Sequence, residues 1–361
     1  MAKLRVLIAG GGTGGHIIPA LAVARELTAK YGAEILFVGT ARGMESRLVP
    51  EAGFALKLID VGPLNKVSLM TRLKTLVRLP MSVSDCKTII REFKPGAVFG
   101  VGGYASGPAM AAAIWLKVPA MAFEPNAMPG LANRLVGKRV QAAAVNFSTA
   151  AQYFRDAEVT GIPVRPEFFS ISAPTGTAPH LLVFGGSQGA RIFNTHVPKI
   201  ARELLDSIPG LTILHQSGLK NFENTQAAYE AGGADRTRWE VRAFLDDMPA
   251  QFARAHLLLS RSGASTVAEE AAAGKAALLV PFAAAADEHQ KRNAEVMVAA
   301  GAAVMLEEPE LQVSGRLAGA LTKLLKAPEQ LRTMGNAART QARPDAAERI
   351  TAKLVELARA R

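Results

Sequence analysis

The sequence predicts an α/β protein made of two doubly wound, Rossmann-like domains facing across a cleft, and three observations predict it. Apolar runs of strand length alternate with helical patterns through both halves of the chain. One device occurs twice: a short apolar strand running into a glycine-rich turn and then a helix. The chain has 361 residues, beyond the length at which a single core usually stops growing.

In the first half, strands are expected at residues 4–9, 33–38, 56–59, 97–101, 119–123 and 142–146. In the second half they are expected at 180–184, 211–215, 239–241, 256–260, 276–281 and 303–306. Helices fit between them, for example at 20–30, 108–116, 266–273 and 290–300. Such alternation implies parallel sheets with right-handed crossovers. Between the halves lies Thr160-Gly161-Ile162-Pro163-Val164-Arg165, followed by a Pro/Ser/Thr/Gly-rich piece to Pro179, which reads as the linker. The expected domains are therefore 1–163 and 164–345. A last helix, 346–361, is placed to fold back onto the first domain.

Composition narrows the function classes. Apolar residues make up 49% of the chain and charged residues 20%, as in an ordinary globular protein. The single cysteine, Cys86, excludes an intramolecular disulfide and supplies no metal framework. Glycines and His16 interrupt what would have to be the apolar segment of an export signal near residues 1–24. No run of 18 apolar residues is present, which argues against a membrane-spanning helix.

Lys and Arg outnumber Asp and Glu by 19 to 10 in residues 1–163, and by only 23 to 21 in the remainder. Within the basic half, Leu69, Met70, Leu73, Leu76 and Val77 recur at helical spacing, with Lys66, Arg72, Lys74 and Arg78 between them. The stretch lacks the aromatic residues that stack on single-stranded nucleic acid, so the expected partner is an anionic membrane surface and not nucleic acid. A core-facing helix with a solvated basic face is the plainer reading of the same stripe.

The first glycine turn is Gly10-Gly11-Gly12-Thr13-Gly14-Gly15-His16, and the second is Gly185-Gly186-Ser187-Gln188-Gly189-Ala190. Glycines let backbone amides approach a ligand closely, and the helix behind them points its positive end at it, which suits phosphate oxygens. Gly10, Gly12 and Gly15 match the dinucleotide pattern G-x-G-x-x-G. The second strand, however, ends Phe37-Val38-Gly39-Thr40 with no carboxylate to hold a ribose, which argues against a dehydrogenase. A third turn, Gly102-Gly103-Tyr104-Ala105-Ser106-Gly107-Pro108, follows another strand of the first domain.

In the second domain, Ser262-Gly263-Ala264-Ser265-Thr266-Val267-Ala268-Glu269 opens a helix after a strand. Glu269 there either favours the helix dipole or accepts the two hydroxyls of a ribose. Asp287 reads as a helix cap, and Gln290 on the helix that follows can read sugar hydroxyls. Together these residues describe a nucleotide-sugar pocket.

These segments, with Glu124-Pro125-Asn126 and 161–165, resemble in order and spacing the MurG family, the bacterial N-acetylglucosaminyltransferases of peptidoglycan synthesis. The resemblance implies a GT-B glycosyltransferase that works without an obligatory metal and with no cofactor. Such an enzyme transfers N-acetylglucosamine from its uridine-diphosphate donor to the 4-hydroxyl of the muramyl sugar on undecaprenyl diphosphate (lipid I), with inversion, giving lipid II. It also implies residence at the cytoplasmic face of the cell membrane, with other cell-wall synthesis proteins as partners. Carried over by motif, the donor (UDP-GlcNAc) site takes Thr13, Gly14, Gly15, Asn126, Arg165, Ser187, Leu245, Ala264, Ser265, Thr266, Val267, Ala268, Glu269 and Gln290. The acceptor diphosphate is assigned to Gly12, Gly103, Tyr104 and Ser106. His16 is the expected general base and Glu124 the reserve. Phe123-Glu124-Pro125-Asn126 departs from the family's usual His-Glu-Gln-Asn. The rival readings are a transferase acting on a different lipid, a nucleotide-sugar epimerase and a non-catalytic nucleotide-sugar sensor.

Overall fold

The computed structural model describes residues 3–62, 69–174, 176 and 178–360, with backbone alone for 69–77 and 286. The chain forms two compact units, one running to Pro163 and resuming at Arg343, the other Val164–Ala342. The first unit holds a seven-stranded parallel sheet of β1 (Arg5–Ala9), β2 (Glu34–Gly39), β3 (Ala55–Leu58), β4 (Ala97–Gly100), β5 (Ala120–Glu124), β6 (Ala142–Val145) and β7 (Ala157–Val159). Its order is β3-β2-β1-β4-β5-β6-β7. The second holds six parallel strands: β8 (His180–Phe184), β9 (Thr212–Gln216), β10 (Trp239–Arg242), β11 (Leu257–Ser260), β12 (Ala277–Leu279) and β13 (Ala303–Met305), ordered β10-β9-β8-β11-β12-β13.

The central strands are buried on both faces, so they read as continuous apolar runs such as Val6-Leu7-Ile8-Ala9. In the first unit a core of Leu7, Val98, Met110 and Val145 lies between sheet and helices. In the second the corresponding core is built on Phe193, Leu204, Tyr229 and Leu321. Cys86 lies inside the first core, where burial pushes its thiol up to about 12 and leaves it unreactive.

The strand order places the glycine turns. In each sheet the direction of winding reverses at one strand: β1, between β2 and β4, and β8, between β9 and β11. Ligands of open α/β sheets bind beyond the carboxyl ends of the strands at that reversal. The 10–15 and 102–108 turns follow β1 and β4. The 185–190 turn and the 261–264 segment follow β8 and β11. Each unit therefore brings two of the expected turns to its own switch point.

Several elements differ from the sequence expectation. The first helix runs Gly14–Tyr31 rather than from residue 20, so Gly14, Gly15 and His16 are helical; Pro19, its sixth residue, withholds the hydrogen bond that the Gly15 carbonyl would otherwise accept. Gly32, at φ +61°, ends that helix in a left-handed cap. β7 was not anticipated, since Ala-Glu-Val is too short and too polar to stand out. Asp287 does not cap a helix; it and Glu288 both adopt left-handed φ (+48° and +53°), and Glu288 is the capping residue. Of the basic stripe, residues 64–68 and the side chains of 69–77 lie outside the described part. Arg78 is exposed and pairs with Asp60 at 2.7 Å.

The last helix, Ala346–Arg359, packs on helix Gly14–Tyr31 within the first unit. Lys30–Glu348 (2.7 Å) and Arg349–Glu158 (2.6 Å) fasten it, and Gly96 abuts Ala358 so closely that a Cβ there would lie 2.9 Å from the Ala358 methyl.

Candidate active site

In the first unit the 10–15 and 102–108 turns interlock. The Gly11 amide donates to the Gly102 carbonyl at 3.2 Å, and a Cβ on Gly103 would meet the Gly11 carbonyl oxygen at 2.2 Å. Gly103 also needs its left-handed φ of +78°. The Gly10 amide donates to Val38, and the Gly12 amide to Glu45 Oε2 at 2.7 Å. The amide of Gly12, which the resemblance assigns to the acceptor diphosphate, is bonded here to a side chain of the same unit. The open donors begin at Thr13. Thr13 is the N-cap of helix Gly14–Tyr31 without its hydroxyl making a capping bond, and the Thr13, Gly14 and Gly15 amides, the N–H groups of a helix start, have no partner among the described residues.

The His16 ring lies against the third turn: a Cβ on Gly102 would come within 2.8 Å of its Cε1. This close approach requires glycine at 102 and holds the imidazole beside both turns. Tyr104 is half exposed at the turn's tip. Ser106 is buried at the start of helix Ser106–Trp115, with its Oγ making no hydrogen bond among the described residues.

Glu124, the reserve base, is deeply buried and fully engaged. Oε1 accepts from the backbone and side-chain nitrogens of Asn126 (2.9 and 3.2 Å), and Oε2 from Gly130 N and Asn133 Nδ2 (3.0 and 2.9 Å). Burial raises its pKa despite these donors. With these four donors on its two oxygens, the carboxylate also shapes the loop that carries Asn126.

In the second unit the 185–190 turn stacks on the turn after β9. Cβ atoms on Gly189 and Gly218 would lie 2.0 Å from the carbonyl oxygens of Ser217 and Gln188, so backbone packs directly on backbone. Gln216 Nε2 holds the Gly186 carbonyl at 3.1 Å, and Asn194 Nδ2 holds that of Ser217 at 2.9 Å. Ser187 is exposed, and the Ser187 and Gln188 amides have no partner among the described residues.

Helix Ala264–Ala273 starts beyond β11 with Gly263 as N-cap; Ala264, Ser265 and Thr266 form its first turn, with Val267 and Ala268 next. Ser265 Oγ is buried there and makes no hydrogen bond among the described residues. Glu269 faces Arg165, the guanidinium 3.7 Å from Oε1. Burial pushes the Glu269 carboxyl up to about 7, while Arg165 pulls it back toward the charged form. Behind it Glu270 is buried, accepts from Ser260 Oγ at 2.6 Å and is pushed up to about 8, chiefly by desolvation. Gln290 directs its side-chain oxygen to Phe282 N (2.9 Å), while its backbone carbonyl accepts from Ser262 Oγ (2.8 Å). That leaves the Gln290 amide nitrogen for a ligand and ties the 281–288 loop to the helix start. Leu245 is buried beneath exposed Phe244 in the loop after β10.

Two family models match the chain: the glycosyltransferase family 28 N-terminal domain over residues 6–145 and the C-terminal domain over 180–350. A relative from Solibacter usitatus, named UDP-N-acetylglucosamine--N-acetylmuramyl-(pentapeptide) pyrophosphoryl-undecaprenol N-acetylglucosamine transferase, is 44% identical over 98% of this chain and 96% of its own. A namesake from Anaeromyxobacter dehalogenans is 42% identical over 99% and 94%. The crystal structure of Acinetobacter baumannii MurG superposes with a TM-score of 0.84 at 29% identity, covering 98% of this chain and all of the other.

The chain belongs to the MurG family. For a MurG-family glycosyltransferase, sequence reasoning missed mainly the supporting residues. Glu45 and Thr40 brace the first turn, Ser260 and Glu270 stand behind Glu269, and Arg261, buried against the Val280 and Pro281 carbonyls, pairs with Glu308 at 2.6 Å. For Glu45 a sign existed, an acidic residue starting a helix between glycines at 39, 43 and 53. Among the described residues no cluster of His, Cys, Asp and Glu is grouped to hold a metal ion.

Proposed function

We infer that the protein transfers N-acetylglucosamine from UDP-N-acetylglucosamine to the 4-hydroxyl of the muramyl sugar of lipid I, releasing uridine diphosphate and giving lipid II. The observation that carries this reading is the 44% identity, over 98% of the chain, to a relative named for that reaction. Supporting it, each unit presents unpaired amides at its switch point, and the second adds a carboxylate beside a guanidinium.

The donor is assigned to the second unit. Glu269 accepts the ribose hydroxyls, the backbone at Leu245 meets the uracil, and Arg165 with the start of helix Ala264–Ala273 holds the diphosphate. Gln290 reads the sugar. As the anomeric C–O bond to the diphosphate breaks, negative charge gathers on the leaving oxygen. The Ser187 hydroxyl and neighbouring amides are donors fixed before the reaction, and one such donor is worth about 3 kcal/mol in the transition state. His16 takes the proton from the acceptor hydroxyl as that oxygen bonds the anomeric carbon from the opposite face, which inverts the configuration. The acceptor diphosphate is assigned to the glycine turn at 10–15, through the Thr13, Gly14 and Gly15 amides, and to the Gly103, Tyr104 and Ser106 segment beside it.

We place the protein peripherally on the cytoplasmic face of the membrane, where lipid I would be reached without extraction. No helix of the described residues is long and apolar enough to cross a membrane. What favours surface contact is the cationic excess of residues 1–163 and an exposed apolar and cationic face. There Trp115 is 73% exposed with Lys87 Nζ 3.9 Å above its ring, and Met81 is exposed on the neighbouring helix Leu69–Phe93. Reversing the charges of Lys66, Arg72, Lys74 and Arg78 should weaken binding to anionic vesicles; undiminished binding rejects this placement.

The test of the reaction is release of uridine diphosphate from labelled donor, with and without a lipid I analogue. Release that requires the analogue, with label entering the lipid, supports the transferase. Donor turnover alone would favour an epimerase, and donor binding without turnover a sensor.

A further inference from the structure

We propose that Glu45 is a positioning residue for the first phosphate turn, a resident anion that takes the innermost amide and so directs a ligand phosphate to the outer three. The inference rests on the transferase reading for its substrate, but its geometry stands independently.

The Glu45 side chain is 1% exposed at the start of helix Glu45–Glu51. Oε2 accepts from Gly12 N at 2.7 Å, and Oε1 from Thr40 N and Thr40 Oγ1, both at 2.9 Å. No cation pairs with it among the described residues. Its charge is instead held by three neutral donors, two of them backbone, which gives short, charge-assisted bonds.

The pocket is cut to the carboxylate. A Cβ on Gly11 would lie 2.1 Å from Glu45 Cδ, one on Gly39 2.4 Å from Cγ, and one on Gly43 2.0 Å from Oε2. Three glycines from three segments thus surround one carboxylate, and none of the three can carry a side chain without moving it. Through Thr40 the same carboxylate joins the end of β2 to the turn after β1.

The consequence concerns which amides a phosphate can reach. Gly10 N is held by Val38 O, Gly11 N by Gly102 O and Gly12 N by Glu45, so a ligand finds donors only from Thr13 onward. Without the carboxylate, the Gly12 amide would be released and the turn would lose the tether that aims the Thr13, Gly14 and Gly15 amides. A glutamine at 45 still offers an oxygen to one side, but sets its amide hydrogens against an N–H on the other.

The experiment measures binding of inorganic pyrophosphate by calorimetry, with uridine diphosphate saturating, in the wild type and in Glu45→Gln. In parallel it measures KM for a lipid I analogue and for the donor. The expected result is pyrophosphate binding and acceptor kcat/KM each weakened about tenfold or more, with donor KM within about twofold and the melting temperature within a few degrees. Pyrophosphate affinity unchanged in a folded Glu45→Gln protein overturns the proposal, as does a change confined to donor KM. If Glu45→Gln does not fold, Thr40→Val removes one of the three donors in a side chain of similar shape. An approximately threefold loss of pyrophosphate affinity then supports the role, and wild-type affinity overturns it. A wild type that binds pyrophosphate but transfers no sugar would sink the transferase reading alone, since the binding comparison would still stand.

Discussion

The two glycine turns look alike in sequence and are wired differently. After β1, every amide from Gly10 to Gly12 is taken by the turn's own unit, and the fastener is a buried carboxylate. After β8, the turn is fastened through its Gly186 carbonyl by the neutral Gln216 amide, and Asn194 holds the Ser217 carbonyl of the turn stacked on it, while the Ser187 and Gln188 amides have no partner among the described residues. A turn held by an anion presents less positive potential than one held by side-chain amides. The second is therefore the better place for charge to develop on a leaving group, and the first the better place to hold a diphosphate that does not react.

The strongest way to break this division is at the chemistry beside the first turn. His16→Ala should lower kcat about 100-fold or more if the imidazole is the base, with donor KM little changed. A near-normal rate in a steady-state assay would move the proton transfer elsewhere. Next, Ser187→Ala should lower kcat about tenfold or more, with a smaller effect on donor KM, because the hydroxyl acts on charge that appears only in the transition state. A change in KM alone would make the second turn a passive binder like the first.

Glu269 sharpens the comparison through pH. Its carboxyl, held near 7 by burial against the opposing pull of Arg165, is protonated below that value and charged above it. Donor KM should fall as pH rises from 6 to 8, since the ionised form accepts both ribose hydroxyls. Glu269→Gln should flatten the profile and raise KM about tenfold at pH 8. Because the folded pKa lies above that of the unfolded chain, the same group makes folding less favourable as pH rises between about 4.5 and 7, which thermal melts across that window would register. The smallest effect is expected of Gln216→Leu, which releases the Gly186 carbonyl but leaves the backbone stacking at Gly189 and Gly218. A few-fold loss of kcat is predicted, against which a loss as large as that of Ser187→Ala would show that the carbonyl tether dominates the second turn.

What sequence could reveal follows from the range of the forces. Strands such as His180–Phe184 match expectation because burial on both faces forces an unbroken apolar run. β7 escaped because three edge residues carry no such requirement. The start of helix Gly14–Tyr31 was placed late because glycines count against a helix locally, whereas here they form a helix start at which close approach matters more than propensity.

By itself the sequence determined the alternation of strand and helix and the positions of the glycine turns, since each depends on neighbours a few positions away. Only tertiary structure decided what each polar atom is bonded to. Glu45 and Gly12 lie 33 residues apart and meet because β2 pairs with β1. Around Glu124, the donors Asn126, Gly130 and Asn133 converge only once the chain folds. A side chain's chemistry is set by its burial and its hydrogen-bond partners, and in a parallel sheet those partners can come, as for Glu45, from segments far away along the chain.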